Sequence, residues 1–125
     1  MPGKHFHTAR DRPIIVGAHW DVVANTSGYN DNGSGMAAML ETARVIAQAV
    51  HRSDGEGCLK DGFDYSVIFV AFDSEEPGCF GSQEFIRRFV MPRVIRKGAR
   101  IRGVFILDTI LNVDFEENSQ VCRTI

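Results

Sequence analysis

The chain lacks any apolar run approaching the roughly 20 residues that a helix needs to cross a bilayer, which excludes a membrane-spanning helix within it. It also lacks an excess of either charge: 14 Lys and Arg stand against 16 Asp and Glu, for a formal net charge of −2. That balance gives no reason to invoke nucleic acid or an anionic membrane as partner. Cysteine is scarce. Cys58, Cys79 and Cys122 are too few and too irregularly spaced for a disulfide scaffold or a Cys-rich zinc module, so free thiols or one incidental disulfide are expected. Residues 1–12 are polar and His-rich, without the apolar stretch of a signal peptide. Either the protein is cytosolic or its N-terminus lies upstream of Met1. No internal repeat or low-complexity segment is visible. What is there is ordinary: 125 residues, 44% hydrophobic and 24% charged, at most one domain with enough chain to bury a core.

The order of elements is more informative. After Pro13, Ile14-Ile15-Val16-Gly17-Ala18 is a short apolar run typical of a buried strand, and it ends at His19. Residues 24–35 are rich in Asn, Ser, Gly and Asp and form a loop. Asn32 or Ser34 can cap the helix that follows, in which Met36, Leu40, Ala43, Ala47 and Val50 recur on one face until about His51. Residues 52–64 read as a solvated connection. Residues 66–72 are apolar on both faces, which predicts a central strand, and run into Asp73-Ser74-Glu75-Glu76. Pro77, Gly78 and Gly81 make a turn; Ser82 can cap a short helix with Phe85, Ile86 and Phe89 on its apolar face, limited by Pro92. The basic stretch 93–102 has no interleaved aromatics and reads as a solvated linker. Residues 103–107 are a third buried strand, ending at Asp108. Strands alternating with helices predict an α/β fold, a mostly parallel or mixed sheet with helices on both faces. The division expected is a tail over 1–13 and a partial domain over 14–125.

The chemistry gathers at the strand ends, where sites form in open α/β sheets. His19 and Asp21, two apart at a strand end, share a face, so Asp21 can accept the second ring N–H of a metal-bound His19. Alone, the pair reads equally as a surface His beside an Asp. Asp31 sits among small residues before a helix; its carboxylate can bridge two cations, although an Asx turn explains it as simply. Gly33 and Gly35 allow close backbone approach. Glu75 and Glu76 are harder to explain without a cation, because adjacent acids after an apolar strand repel and desolvation adds to the cost. One can ligate while the other acts as general base. Asp108 ends an otherwise apolar strand, as ligand or as cap. All of these fall on one edge of one sheet. Asn25-Thr26-Ser27 and Asn32-Gly33-Ser34 fit the glycosylation pattern, and a glycan on the second would block the edge.

The order His-x-Asp, Asp-Asn-x-Ser-Gly, Glu-Glu, Asp resembles the co-catalytic zinc aminopeptidases typified by bacterial leucyl aminopeptidase, a superfamily of zinc exopeptidases that includes glutamate carboxypeptidase, plasma carboxypeptidase and glutaminyl cyclase relatives. Residues 15–21, 29–35 and 72–76 carry the likeness, with Gly78-Cys79-Phe80-Gly81-Ser82 after them. It covers Ile14 to Asp108 and implies the zinc-exopeptidase fold and a peptide substrate. It further implies that His19 and Asp108 bind one zinc, Asp31 bridges both and Glu76 binds the other. Glu75 would be the general base toward the bridging water, and Asp21 would orient His19. Two zinc ions per complete site are implied; carboxylate-rich sites also accept manganese or cobalt. The peptide bond after the bridging Asp is typically cis in this family, so a cis Asp31–Asn32 bond is expected.

Two departures stand out. Asp108-Thr109-Ile110 replaces the usual Asp-Met-Ile, which keeps the ligand. The family's second His ligand comes from a strand downstream of Ile125, and neither His5 nor His7 occupies its place, so the chain is expected to be a fragment with little activity of its own. A non-catalytic relative that keeps the fold as a binding module, and a single-zinc glutaminyl cyclase, are the rival readings. The retained His19, Asp31, Glu75, Glu76 and Asp108 favour the peptidase. Aminopeptidase against carboxypeptidase is left open, and a secreted or secretory-pathway address follows only from the family's habit.

Overall fold

The computed structural model describes residues 1–51, 63–112 and 116. Three parallel strands form its sheet: β1 (Ile14–His19), β2 (Val67–Phe72) and β3 (Gly103–Ile106), in the order β2-β1-β3. Register runs Ile14 to Val67 and His19 to Phe72 on one side of β1, and Ile14 to Gly103 and Gly17 to Ile106 on the other. The parallel α/β character expected from the alternation of elements is therefore present. The centre of the sheet is β1, not β2. Among the described residues β2 pairs on one side only, and its Ala71 is exposed. The apolar run at 66–72 is matched in the structure by the burial of β1, whose last five residues are all buried.

Alternating residues divide the core between two faces. On one, Ile15 packs with Val90, Val94 and Ala99, with Ile68, Val70, Phe85 and Phe89 around them. On the other, Val16, Ala18 and Val67 pack with Met39 of helix α1 (Gly33–His51), beside Met36, Phe69 and Leu107. The α1 face differs from the expected one by a register step: Met39 is buried at 3% exposure, whereas Leu40 is 60% exposed. Met36, Met39, Ala43 and Ile46 also fall at helical spacing, on a face turned by less than half a right angle from the one through Leu40. A cavity of about 600 Å3 opens beneath α1 between Ile14, Val16, Ile46, Phe63 and Phe105, and includes none of the strand-end acids.

The second helical segment is longer than expected. Helix α2 (Phe80–Phe85) passes into a π turn at Ile86–Val90 and then α3 (Met91–Arg93). Ser82 does not cap it; its hydroxyl donates to the Cys79 carbonyl, and Cys79, in the left-handed region, occupies the cap position. Pro92 does not limit the run but lies within the first turn of α3, where a missing N–H is tolerated. β3 also departs from expectation. Val104, Phe105 and Ile106 are 53–58% exposed, and among the described residues β3 pairs with β1 alone. Before β1, the chain is pinned along β2. The Met1 amino group donates to the Val67 carbonyl (2.6 Å), and buried Asp11 accepts from Ser66 N (2.9 Å) and Ser66 Oγ (2.8 Å). Cys79 is exposed with a free thiol; Cys58 and Cys122, and the connection at 52–62, lie outside the described residues.

Candidate metal centre

His19 is the last residue of β1 and only 4% exposed, so its imidazole is fixed by the central strand. Nε2 faces three carboxylates: Asp31 Oδ1 at 3.1 Å, Asp108 Oδ1 at 3.6 Å and Glu75 Oε2 at 4.0 Å. Ligand atoms of His19, Asp31 and Asp108 all lie within 4.8 Å of one another, a group able to hold a metal ion. On the other side of the ring, Nδ1 lies 3.2 Å from the Asp21 carbonyl and 3.4 Å from Asp21 Oδ1. The Asp21 carbonyl and Oδ1 therefore both face Nδ1, but the carboxylate has further work. Its Oδ1 accepts the Glu75 amide (3.0 Å) and its Oδ2 the Glu76 amide (3.1 Å). Asp21 thus ties the end of β1 to the acidic turn after β2, a role the spacing alone did not suggest. The Glu76 backbone is placed by this bond, but its carboxylate is not in the three-residue metal group.

Asp31 and Asp108 come from different loops, and a buried asparagine joins them. Asn32, 2% exposed, donates from Nδ2 to the Leu107 carbonyl (2.8 Å), while its Oδ1 accepts the Gly35 amide (3.0 Å) and, at 3.4 Å, that of Thr109. One side chain caps α1 and holds the strand end carrying Asp108. The Asp31–Asn32 peptide bond is cis, as the family likeness implies. Gly35 has to be glycine, because a Cβ there would overlap Asn32 Oδ1 and the Leu107 carbonyl. Further bonds complete the latch: Ser34 Oγ donates to the Asn30 carbonyl (2.6 Å) and accepts the Ile110 amide (3.2 Å), and Asn30 Oδ1 accepts the Leu111 amide (3.1 Å). Burial also removes Asn32 from consideration as a glycan acceptor. The signal for this latch was in the sequence as three polar residues at alternate positions, 30, 32 and 34, whose partners 75 or more residues away no local pattern could name.

The electrostatics are lopsided. Burial works against a charged His19, yet Glu75, Asp108, Asp31 and Asp21 together raise its pKa above 6.5. For Asp21, desolvation is outweighed by the Glu75 and Glu76 amides and the nearby imidazole, which lower its pKa. The Cys79 thiol donates to Glu75 Oε1 (3.4 Å), and that bond pushes the thiol pKa up. Two unit charges within 4.8 Å repel by about 1–4 kcal/mol between aqueous and partly buried conditions. A single capping hydrogen bond returns about 1 kcal/mol. Asp31 and Asp108 keep about half their side-chain surface exposed, 53% and 48%, which leaves the group open to an ion. One imidazole nitrogen and several carboxylate oxygens are the donor set of zinc, manganese or cobalt.

An α/β sheet with this donor set at its carboxyl edge presents a candidate metal centre, and comparison with known proteins gives the family. The model of peptidase family M28 matches residues 3–122, and the chain belongs to that family. It is 37% identical over 73 residues to aminopeptidase YwaD of Bacillus subtilis, covering 58% of this chain and 13% of that protein. It is 36% identical over 83 residues to an aminopeptidase of Pseudomonas aeruginosa, covering 64% and 13%. It is 35% identical over 80 residues to a glutamate carboxypeptidase 2 homolog of Caenorhabditis briggsae, covering 64% and 9%. The chain therefore spans about an eighth or less of the length of these relatives. No solved structure matches.

Proposed function

We propose that this chain carries metal-binding residues of a zinc-exopeptidase fold and serves a metal-dependent exopeptidase of aminopeptidase type, acting on peptide substrates. The observation that carries the reading is the convergence of Asp31, Asp108 and Glu75 on Nε2 of buried His19. His19, Asp31 and Asp108 would hold the metal, and Glu76 would join them at a second ion. Four carboxylates (Asp21, Asp31, Glu75 and Asp108) face one imidazole, so two divalent ions would bring the cluster to neutral and one would not. When bound, such ions polarise the scissile carbonyl and acidify water.

The chain's own residues do the rest. Glu75 takes the proton from the attacking water and returns it to the leaving amine. Asp21 holds the Glu75 and Glu76 amides and faces Nδ1, so that the base and the imidazole keep one geometry. Asn32 sets the spacing of Asp31 and Asp108. The test is hydrolysis of an aminoacyl-p-nitroanilide by the complete zinc-loaded protein. Glu75→Gln should lower kcat by about 10²–10⁴-fold while zinc stays bound. Full activity in that variant would remove Glu75 from the mechanism.

A further inference from the structure

At the opposite edge of the sheet, before β1, three exposed arginines gather around a pocket open to solvent. Arg10 and Arg12 flank Asp11, but Asp11 turns inward and spends both carboxylate oxygens on Ser66. It is therefore not free to neutralise its neighbours. The third arginine arrives through backbone pairing. The Arg100 amide donates to the Asp11 carbonyl (3.3 Å) and the Arg102 amide to the Pro13 carbonyl (3.0 Å), laying 100–102 beside 11–13. Gly98, with φ at 83°, ends the preceding turn and directs the chain back. The result is a cavity of about 330 Å3 lined by His5, Arg10, Arg12, Tyr65, Gly98 and Arg100.

Among the described residues none of these three guanidinium groups has a carboxylate partner, whereas Arg44 pairs with Glu41, and Arg87 and Arg88 with Glu84. Asp64, next to Tyr65, faces Lys4 instead (3.8 Å). Like charges around one concavity repel unless an anion sits among them. Guanidinium forks match the oxygens of phosphate in pairs, and a tyrosine hydroxyl adds a donor. The volume stands at the lower end of the roughly 300–1,000 Å3 of small-molecule sites, larger than one phosphate needs. His19 is at the far end of a six-residue strand, about 20 Å away, so this space is separate from the metal centre. We propose that the cavity between Arg10, Arg12 and Arg100 is a binding site for a small phosphate-bearing anion.

Calorimetry on the metal-free protein, at fixed ionic strength, tests this without interference from phosphate on the metal centre. Inorganic phosphate, pyrophosphate and glycerol phosphate are the probes. One saturable site is expected. The double variant Arg12→Gln with Arg100→Gln should weaken it by at least about tenfold, while Arg96→Gln, outside the cavity, should not. Circular dichroism and melting curves establish that the variants are folded. Tighter binding of pyrophosphate or glycerol phosphate than of inorganic phosphate assigns a phosphorylated small molecule, and equal affinity assigns free phosphate; both support the site. No saturable binding below about 20 mM, or binding unchanged in the double variant, overturns it.

Discussion

At the scale of the residue, His19 decides the behaviour of the centre. In the metal-free protein its pKa is raised, with burial opposing and Glu75, Asp108, Asp31 and Asp21 prevailing. A group whose folded pKa exceeds its unfolded value stabilises the fold below the unfolded pKa and loses that contribution as pH rises through the folded one. Metal-free protein should therefore melt at lower temperature as pH climbs from below 6.5 to above it, and His19→Gln should flatten that dependence. A metal ligand has to be the neutral imidazole, so zinc binding should release a proton and weaken over the same range as pH falls. Calorimetry in buffers of different ionisation enthalpy reads the proton directly. Asp21 invites a second test. Its carboxylate faces Nδ1 and also holds two amides of the acidic turn, so Asp21→Ala should cost about 10–100-fold in metal affinity or kcat. Asp21→Asn keeps a carbonyl oxygen for one amide and should recover part of the loss.

At the scale of the element, the loop before α1 and the loop after β3 behave as one unit through Asn32. Removing its side chain in Asn32→Ala strands the Gly35 amide and the Leu107 carbonyl, and should destabilise the fold by about 1–3 kcal/mol. Zinc affinity should fall in parallel, because the Asp31 to Asp108 spacing depends on the same bonds; chemical denaturation and zinc titration on one sample compare the two. Gly35→Ala should act similarly, through the overlap of its Cβ with Asn32 and Leu107. The local part of this arrangement was legible in the sequence: the strand ending at His19, the Asn32 cap, the extent of α1 and the loop from 24, although that loop gives way to α1 at Gly33 rather than after Gly35. Its partners were not, since a hydrogen bond to Leu107 spans 75 positions and leaves no periodic trace. The same limit explains the misplacement of β2. An apolar run shows that a strand is buried on its faces, not which strands lie beside it, so the central position went to Val67–Phe72 when β1 holds it. Pro92 misled for a different reason. A proline ends a helix in its interior but not in its first turn, and the π turn at Ile86–Val90 starts a new one just before it.

At the scale of the whole molecule, the sheet separates two concentrations of charge. The carboxyl ends of the strands carry the acids around His19, and the amino ends carry Arg10, Arg12 and Arg100. A formal charge of −2 conceals this separation, which is why composition pointed to no anionic ligand. The ordered motifs at 15–21, 29–35 and 72–76 carried the family; the basic stretch read as a linker until the fold folded its Arg100 back beside Arg12. The proposed function depends on the acids around His19 forming a metal centre built by Asp31. The most direct measurement is zinc stoichiometry and affinity on the folded, metal-free protein, wild type beside Asp31→Ala. Loss of His19's nearest carboxylate should weaken zinc by at least about 100-fold, or ~2.7 kcal/mol, with the fold intact. Equal affinity in the two proteins, or no zinc bound by a folded wild type, would rule out a metal centre of this composition.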